Sequence, residues 1–131
     1  MKILIADDHA IVRRGLKEIL LDEYPSAIIA EASDAEELLK KAFQDKWDLV
    51  ISDLNMPGKN GYDVISDVKA NPSYSHIPVI ITSTSSTRTI IDKCLALGAA
   101  DYIVKPETFV EYVPYVKKLH RLIEEKQLVK Q

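Results

Sequence analysis

The stretch Asp48-Leu49-Val50-Ile51-Ser52-Asp53, followed by Leu54-Asn55-Met56-Pro57-Gly58-Lys59-Asn60-Gly61, decides how the rest of the chain is read. Its apolar run is too short for a helix and is bounded by acids, which reads as a strand buried on both faces. The run stops on Asp53. Pro57, Gly58 and Gly61 then mark a loop. Beyond it, Tyr62, Ile65 and Val68 recur at helical spacing, and Asn71-Pro72 closes that helix.

The same alternation extends in both directions. Upstream, Lys2 to Ala6 is a first strand ending at Asp7-Asp8. Ile11, Val12, Leu16, Ile19 and Leu20 follow at helical spacing, as far as Tyr24-Pro25, where proline disfavours a helical residue before it. Ala27 to Ala32 is a second strand. Ser33-x-x-Glu36 reads as a capping box for a helix carrying Leu38, Leu39, Ala42 and Phe43. Downstream, Pro78 to Ser83 is a fourth strand. Ile90, Ile91, Cys94 and Leu95 mark a helix with Gly98 just past its end. Ala100 to Val104 is a fifth strand, and Tyr112, Val116, Leu119 and Ile123 form the stripe of a last helix. Thr108-x-x-Glu111 resembles a cap for it, which places Pro114 inside; the helix either starts near Val113 or kinks at Pro114.

Five strand-helix units with doubly buried strands predict an α/β fold: a parallel sheet with helices on both faces and right-handed crossovers. A chain of 131 residues supports one such core. With 17 basic and 20 acidic residues the net charge is -3, which argues against a direct nucleic-acid surface. No segment approaches the roughly 20 apolar residues of a membrane span. Acid arrives too early for a signal peptide, and the lone Cys94 cannot pair within the chain. A cytoplasmic location is the expectation.

In open parallel sheets, ligands bind beyond the carboxyl ends of the strands. Asp7 and Asp8 follow strand one, Asp53 ends strand three, Ser83 ends strand four and Lys105 follows strand five. Carboxylates gathered there stay ionised only beside a cation. Hard oxygen donors suit Mg²⁺. Lys105 adds a fixed charge, Ser83 a hydroxyl, and an aspartate a nucleophile, which together are the needs of phosphoryl transfer. Singly, each residue has a plainer reading: a turn or cap acid, a loop hydroxyl, a solvated lysine. Tyr102 alone reads as packing, and Gly61 as backbone geometry. His9 is within reach of the pocket but reads first as a solvated loop residue, and Cys94 reads as core.

The set Asp7-Asp8, Asp53 through Gly61, Ser83 and Tyr102-Ile103-Val104-Lys105-Pro106 resembles the receiver domain of two-component response regulators. The likeness covers residues 2–125, so residues 1–126 are expected to form one receiver domain and 127–131 a fraying tail. It implies a flavodoxin-like, doubly wound, five-stranded sheet of order 2-1-3-4-5 with five helices. Asp53 would be the phosphoacceptor, served by a sensor histidine kinase, a phosphotransfer protein or a small phosphodonor. Mg²⁺ would be held by Asp8, Asp53 and the main-chain carbonyl of Asn55, with Asp7 acting through water. Lys105 and Ser83 would contact the phosphoryl group, and Ser83 and Tyr102 would form the switch. The hydroxyl is assigned to Ser83 rather than Thr82 or Thr84 because it stands five residues after Pro78 and 22 before Lys105. The peptide before Pro106 would be cis.

The resemblance also implies an output surface at helix 4, strand 5 and helix 5. That surface would meet a downstream partner, an output domain missing from these residues, or a second copy in a homodimer. Catalysis would be limited to the domain's own phosphorylation and dephosphorylation. The region around Phe109-x-Glu111-Tyr112 is similar to stand-alone receivers of the chemotaxis and phytochrome types. Ile5-Ala6-Asp7-Asp8-His9 is closer to receivers attached to helix-turn-helix domains. Competing readings are a receiver-like binding module that is never phosphorylated, a haloacid-dehalogenase-type phosphatase and a flavin-binding fold. The phosphatase would want Asp-x-Asp after strand one. In the flavin-binding fold, Asp7-Asp8 would repel the phosphate.

Overall fold

The computed structural model describes residues 1–105, together with Pro114 and Arg121, each of which has helical backbone. The strands are β1 (Lys2–Ala6), β2 (Ile28–Ala32), β3 (Leu49–Asp53), β4 (Val79–Ser83) and β5 (Asp101–Val104). They alternate with α1 (Ala10–Glu23), α2 (Ala35–Ala42), α3 (Gly61–Ala70) and α4 (Arg88–Leu97). All pairings are parallel, in the order β2-β1-β3-β4-β5. Apart from Pro114 and Arg121, the expected fifth helix lies outside the described residues, as do its Thr108 cap and the bond before Pro106.

Side chains alternate across the sheet, as strand geometry requires. Ile3, Ile5, Leu49, Ile51, Ile80 and Ile103 face the side of α1, where Leu16 and Leu20 meet them. Leu4, Ala6, Val50, Val79, Ile81 and Tyr102 face α2, α3 and α4 through Leu38, Val64, Ile65, Val68 and Cys94. This division follows from chain path. The chain steps from β1 to β2 in one direction and from β2 through β5 in the other. Right-handed crossovers therefore put α1 on one face and the next three helices on the opposite face. Ile3, Leu4, Ile5, Ile51, Ile80, Ile81 and Ile103 are essentially inaccessible. Each contributes about 1.5–3 kcal/mol by burial.

The central strands β3 and β4 are buried at all five positions, whereas the edge strands β2 and β5 each expose an apolar residue, Ile28 and Val104. Two local expectations need correction. The α2 cap is Asp34, whose side chain accepts from the Glu37 N–H, while Ser33 donates its hydroxyl to the Glu37 carboxylate. A carboxylate at the helix N-terminus also meets the positive end of the dipole, which favours Asp34 over its neighbour. Ile11 is 67% exposed and Val12 half-buried, so the buried face of α1 starts at Leu16, later than the apolar stripe suggests. Elsewhere the punctuation is as read. Gly98 caps α4 in the left-handed conformation at φ 113°, and Asn71 closes α3.

Candidate functional site

The direction change between β1 and β3 leaves a crevice at their carboxyl ends, and the acids stand there. Asp7 continues the β1–β2 ladder through its N–H to the Ala32 carbonyl. Its carboxylate accepts from the His9 backbone N–H at 2.9 Å, which folds the loop back on itself. The Arg13 guanidinium on α1 donates to the Asp7 carbonyl at 2.5 Å and lies 3.4 Å from Glu31 of β2. The loop that carries the acid pair is thus fixed from three elements.

Asp53 is fixed from beneath and beyond. The Leu54 N–H reaches the Thr82 carbonyl, extending the β3–β4 ladder one residue past Asp53. The loop then returns, and the Gly61 N–H donates to the Leu54 carbonyl at 2.8 Å. A Cβ on Gly61 would lie 2.9 Å from the Leu54 Cα and 3.2 Å from the Asp53 carbonyl oxygen. Only glycine permits that approach, which agrees with the backbone role read for it. Asn60 then starts α3 with a reciprocal capping box to Asp63, a pair that the sequence reading did not pick out.

Lys105 closes the crevice from β5. Its N–H bonds the Ser83 carbonyl, and its ammonium lies 2.5 Å from Asp7 Oδ2 and 3.3 Å from Asp53 Oδ1. All three residues are buried, at 9%, 3% and 5% exposure for Lys105, Asp7 and Asp53. Burial pushes the Asp53 carboxyl above the usual aspartate range. The Lys105 charge opposes that shift, and the Asp7 charge adds to it. Burial would lower Lys105, but its hydrogen bond to Asp7 and the two negative charges hold it above the ordinary lysine value.

Asp8 lies at the exposed rim. One ligand atom from each of Asp7, Asp8, His9 and Asp53 falls within a cluster 4.8 Å across. Carboxylate oxygens so gathered are a hard donor set of the kind Mg²⁺ takes, so the residues present fit that ion. His9 belongs to this cluster although its sequence position reads as solvated loop. Its ring is 68% exposed, yet Nδ1 lies 3.2 Å from Asp7 and 3.0 Å from Asp8. The available signal was its place directly after the acid pair. Arg13 had no signal, since its contact depends on the path of the loop.

Ser83 is fully buried at the end of β4, and its hydroxyl accepts from the Ser85 N–H at 3.1 Å. Thr82 is turned to the Ser52 carbonyl at 3.5 Å, and Thr84 is exposed. Tyr102 is 7% exposed and donates its hydroxyl to the Ser85 carbonyl at 2.7 Å. Ser83 and Tyr102 therefore hold the β4–α4 loop at the same residue, Ser85, through its N–H and its carbonyl. Asn55 is exposed, with its N–H 3.4 Å from Asp53 Oδ1.

This arrangement has a known counterpart. The sequence matches the response regulator receiver domain over residues 3–117. The chain belongs to that family. As a receiver domain it is a signalling domain of two-component systems, whose general function is to accept a phosphoryl group on an aspartate. Receiver domains as a class bind Mg²⁺ and interact with histidine kinases and output partners. CheY of Pseudomonas aeruginosa is 35% identical to this receiver over 108 residues, covering 82% of this chain and 86% of CheY. The transcriptional regulatory protein PdtaR of Mycobacterium tuberculosis is 33% identical over 116 residues, covering 88% of this chain. The receiver spans 55% of the length of PdtaR. The crystal structure of the phosphorylated cyanobacterial phytochrome response regulator RcpA superposes with a TM-score of 0.85 at 26% identity, covering 92% of this chain and 91% of that one. No helix among the described residues is long and apolar enough to cross a membrane.

Proposed function

We propose that Asp53 is the phosphoacceptor of a cytoplasmic phosphorylation switch formed by residues 1–126. The observation that carries this reading is the buried Lys105 ammonium within reach of both Asp7 and Asp53. Such a cation, buried between two carboxylates, is suited to the extra negative charge of a phosphoryl group. An Asp53 Oδ would attack phosphorus on a phosphohistidine of a sensor kinase or phosphotransfer protein. The new P–O bond would form as the P–N bond breaks, and the departing imidazole nitrogen would take a proton. Lys105 would shift from pairing carboxylates to pairing phosphoryl oxygens. Ser83 would exchange its Ser85 N–H for a phosphoryl oxygen, as the donor instead of the acceptor.

Asp8, Asp53 and the Asn55 carbonyl would hold Mg²⁺, with Asp7 acting through water. When bound, the ion supplies charge neutralisation between the carboxylates and the phosphoryl oxygens. Moving Ser83 would disturb the β4–α4 loop that Tyr102 also holds, so the signal would leave through α4 and β5. Leu95 and Val104 are exposed there and suit a downstream protein, an attached output domain or a second copy. The domain would catalyse only its own phosphorylation and dephosphorylation.

The test is intact mass after incubation with a small acyl phosphodonor. The expected result is one phosphoryl adduct that requires Mg²⁺ and is lost in Asp53→Asn. An adduct that persists in Asp53→Asn would move the acceptor elsewhere.

A further inference from the structure

We infer that His9 is a ligand in the acidic pocket and shifts its cation preference from Mg²⁺ towards borderline transition ions, Zn²⁺ first. This rests on the metal-pocket reading above and adds a residue that sets its selectivity. The spacing supplies the first argument. Neighbouring ligands on a six-coordinate ion with bonds of about 2.1 Å are about 3.0 Å apart, and on a tetrahedral one about 3.4 Å. His9 Nδ1 lies 3.0 Å from Asp8 Oδ1, which would hold the ion directly, and 3.2 Å from Asp7 Oδ1, which would reach it through water.

The second argument concerns what holds the ring there. His9 occupies the N-cap position of α1, with φ -96° and ψ 104°, but its side chain makes no cap hydrogen bond. The ring is turned instead towards the carboxylates. Its backbone N–H is bound to Asp7 Oδ1, which fixes the loop backbone that carries the ring. A ring nitrogen beside two carboxylate oxygens can serve them in two ways. As N–H it donates to them; through its lone pair it joins them on a shared cation.

The third argument is donor chemistry. An oxygen-only set suits Mg²⁺, which binds nitrogen poorly. Exchanging one oxygen or water for imidazole favours Zn²⁺, Co²⁺ and Ni²⁺ over Mg²⁺. The ring stands at the mouth of the pocket, where it can join or leave an ion without disturbing the buried Asp7–Lys105–Asp53 contacts.

The experiment is calorimetric titration of the full chain with Mg²⁺ and, separately, with Zn²⁺, using wild type, His9→Ala and Asp8→Asn. His9→Ala is expected to lose about tenfold or more in Zn²⁺ affinity while Mg²⁺ affinity moves by less than about threefold. Asp8→Asn is expected to weaken both. In parallel, Zn²⁺ should shift the ring nitrogen resonances of His9. An equal change for both cations in His9→Ala, or an unshifted His9 ring, overturns the inference. Zn²⁺ binding that survives intact in Asp8→Asn also overturns it, because the ion would then sit on His76 or His120. Failure of the wild type to bind Mg²⁺ would instead count against the pocket reading, and the His9 result is still read from Zn²⁺ alone.

Discussion

Replacing Asp53 with asparagine should make the metal-free protein more stable, because the site holds its carboxylate at a cost. Three terms set the balance at neutral pH. Lys105 attracts Asp53 across 3.3 Å, worth about 5 kcal/mol at an effective dielectric near 20. Asp7 repels it from within 4.8 Å, costing about 3.5 kcal/mol or more on the same scale. Burial of the charge costs several kcal/mol, here taken as about 3. The sum is unfavourable by about 1–2 kcal/mol, the same direction as the raised Asp53 carboxyl. Asparagine keeps the shape and removes the charge. The gain should appear as a higher urea midpoint at unchanged slope, and as a melting temperature raised by about 4–8 °C.

The pH dependence follows the same sign. A carboxyl raised in the folded state binds more protons there than in the unfolded chain. Its penalty is therefore absent below 3.8, the ordinary aspartate value, grows through the raised folded value and is complete above it. The advantage of Asp53→Asn over wild type must shrink towards zero as the pH falls to that lower limit. A variant that is less stable than wild type at neutral pH in chelator, or whose advantage persists unchanged in acid, would refute the reasoning.

Other outcomes are fixed by the same geometry. Lys105→Met should cost about 3 kcal/mol in urea unfolding, since it leaves Asp7 and Asp53 facing each other without a cation. The Lys105 contribution is present below 10.5 and should fade as the pH rises through its raised folded value, so wild type and variant should converge in alkali. Gly61→Ala should lose about 2 kcal/mol, because its Cβ would meet the Leu54 backbone at 2.9 Å rather than a movable side chain. Asp34→Ala should cost about 1 kcal/mol in thermal unfolding, and Ser33→Ala clearly less, because Asp34 is the α2 cap.

The sheet was legible because its central strands are buried on both faces, so β3 and β4 are compact apolar runs that end on Asp53 and Ser83. The same rule put Asp7, Asp8, Asp53, Ser83 and Lys105 at one edge. Their grouping at one crevice depended on strand order, which the family resemblance provided and periodicity did not. Local choices between similar residues were less legible. Ser33 and Asp34 are both good caps, and only the helix dipole and the path of the chain separate them. Ile11 continues an apolar stripe that the sheet does not reach. His9 and Arg13 act through the fold of the seven-residue stretch from Asp7 to Arg13, which no period describes.

The most direct test of the central claim is to locate the modification. Protein treated with a small acyl phosphodonor and Mg²⁺ is reduced with borohydride, which converts a phosphorylated aspartate to homoserine, and then digested and sequenced by mass spectrometry. Homoserine at position 53, and no conversion at Asp7 or Asp8, is the predicted result. Conversion at Asp7, at Asp8 or at neither Asp53 nor its neighbours would contradict the account.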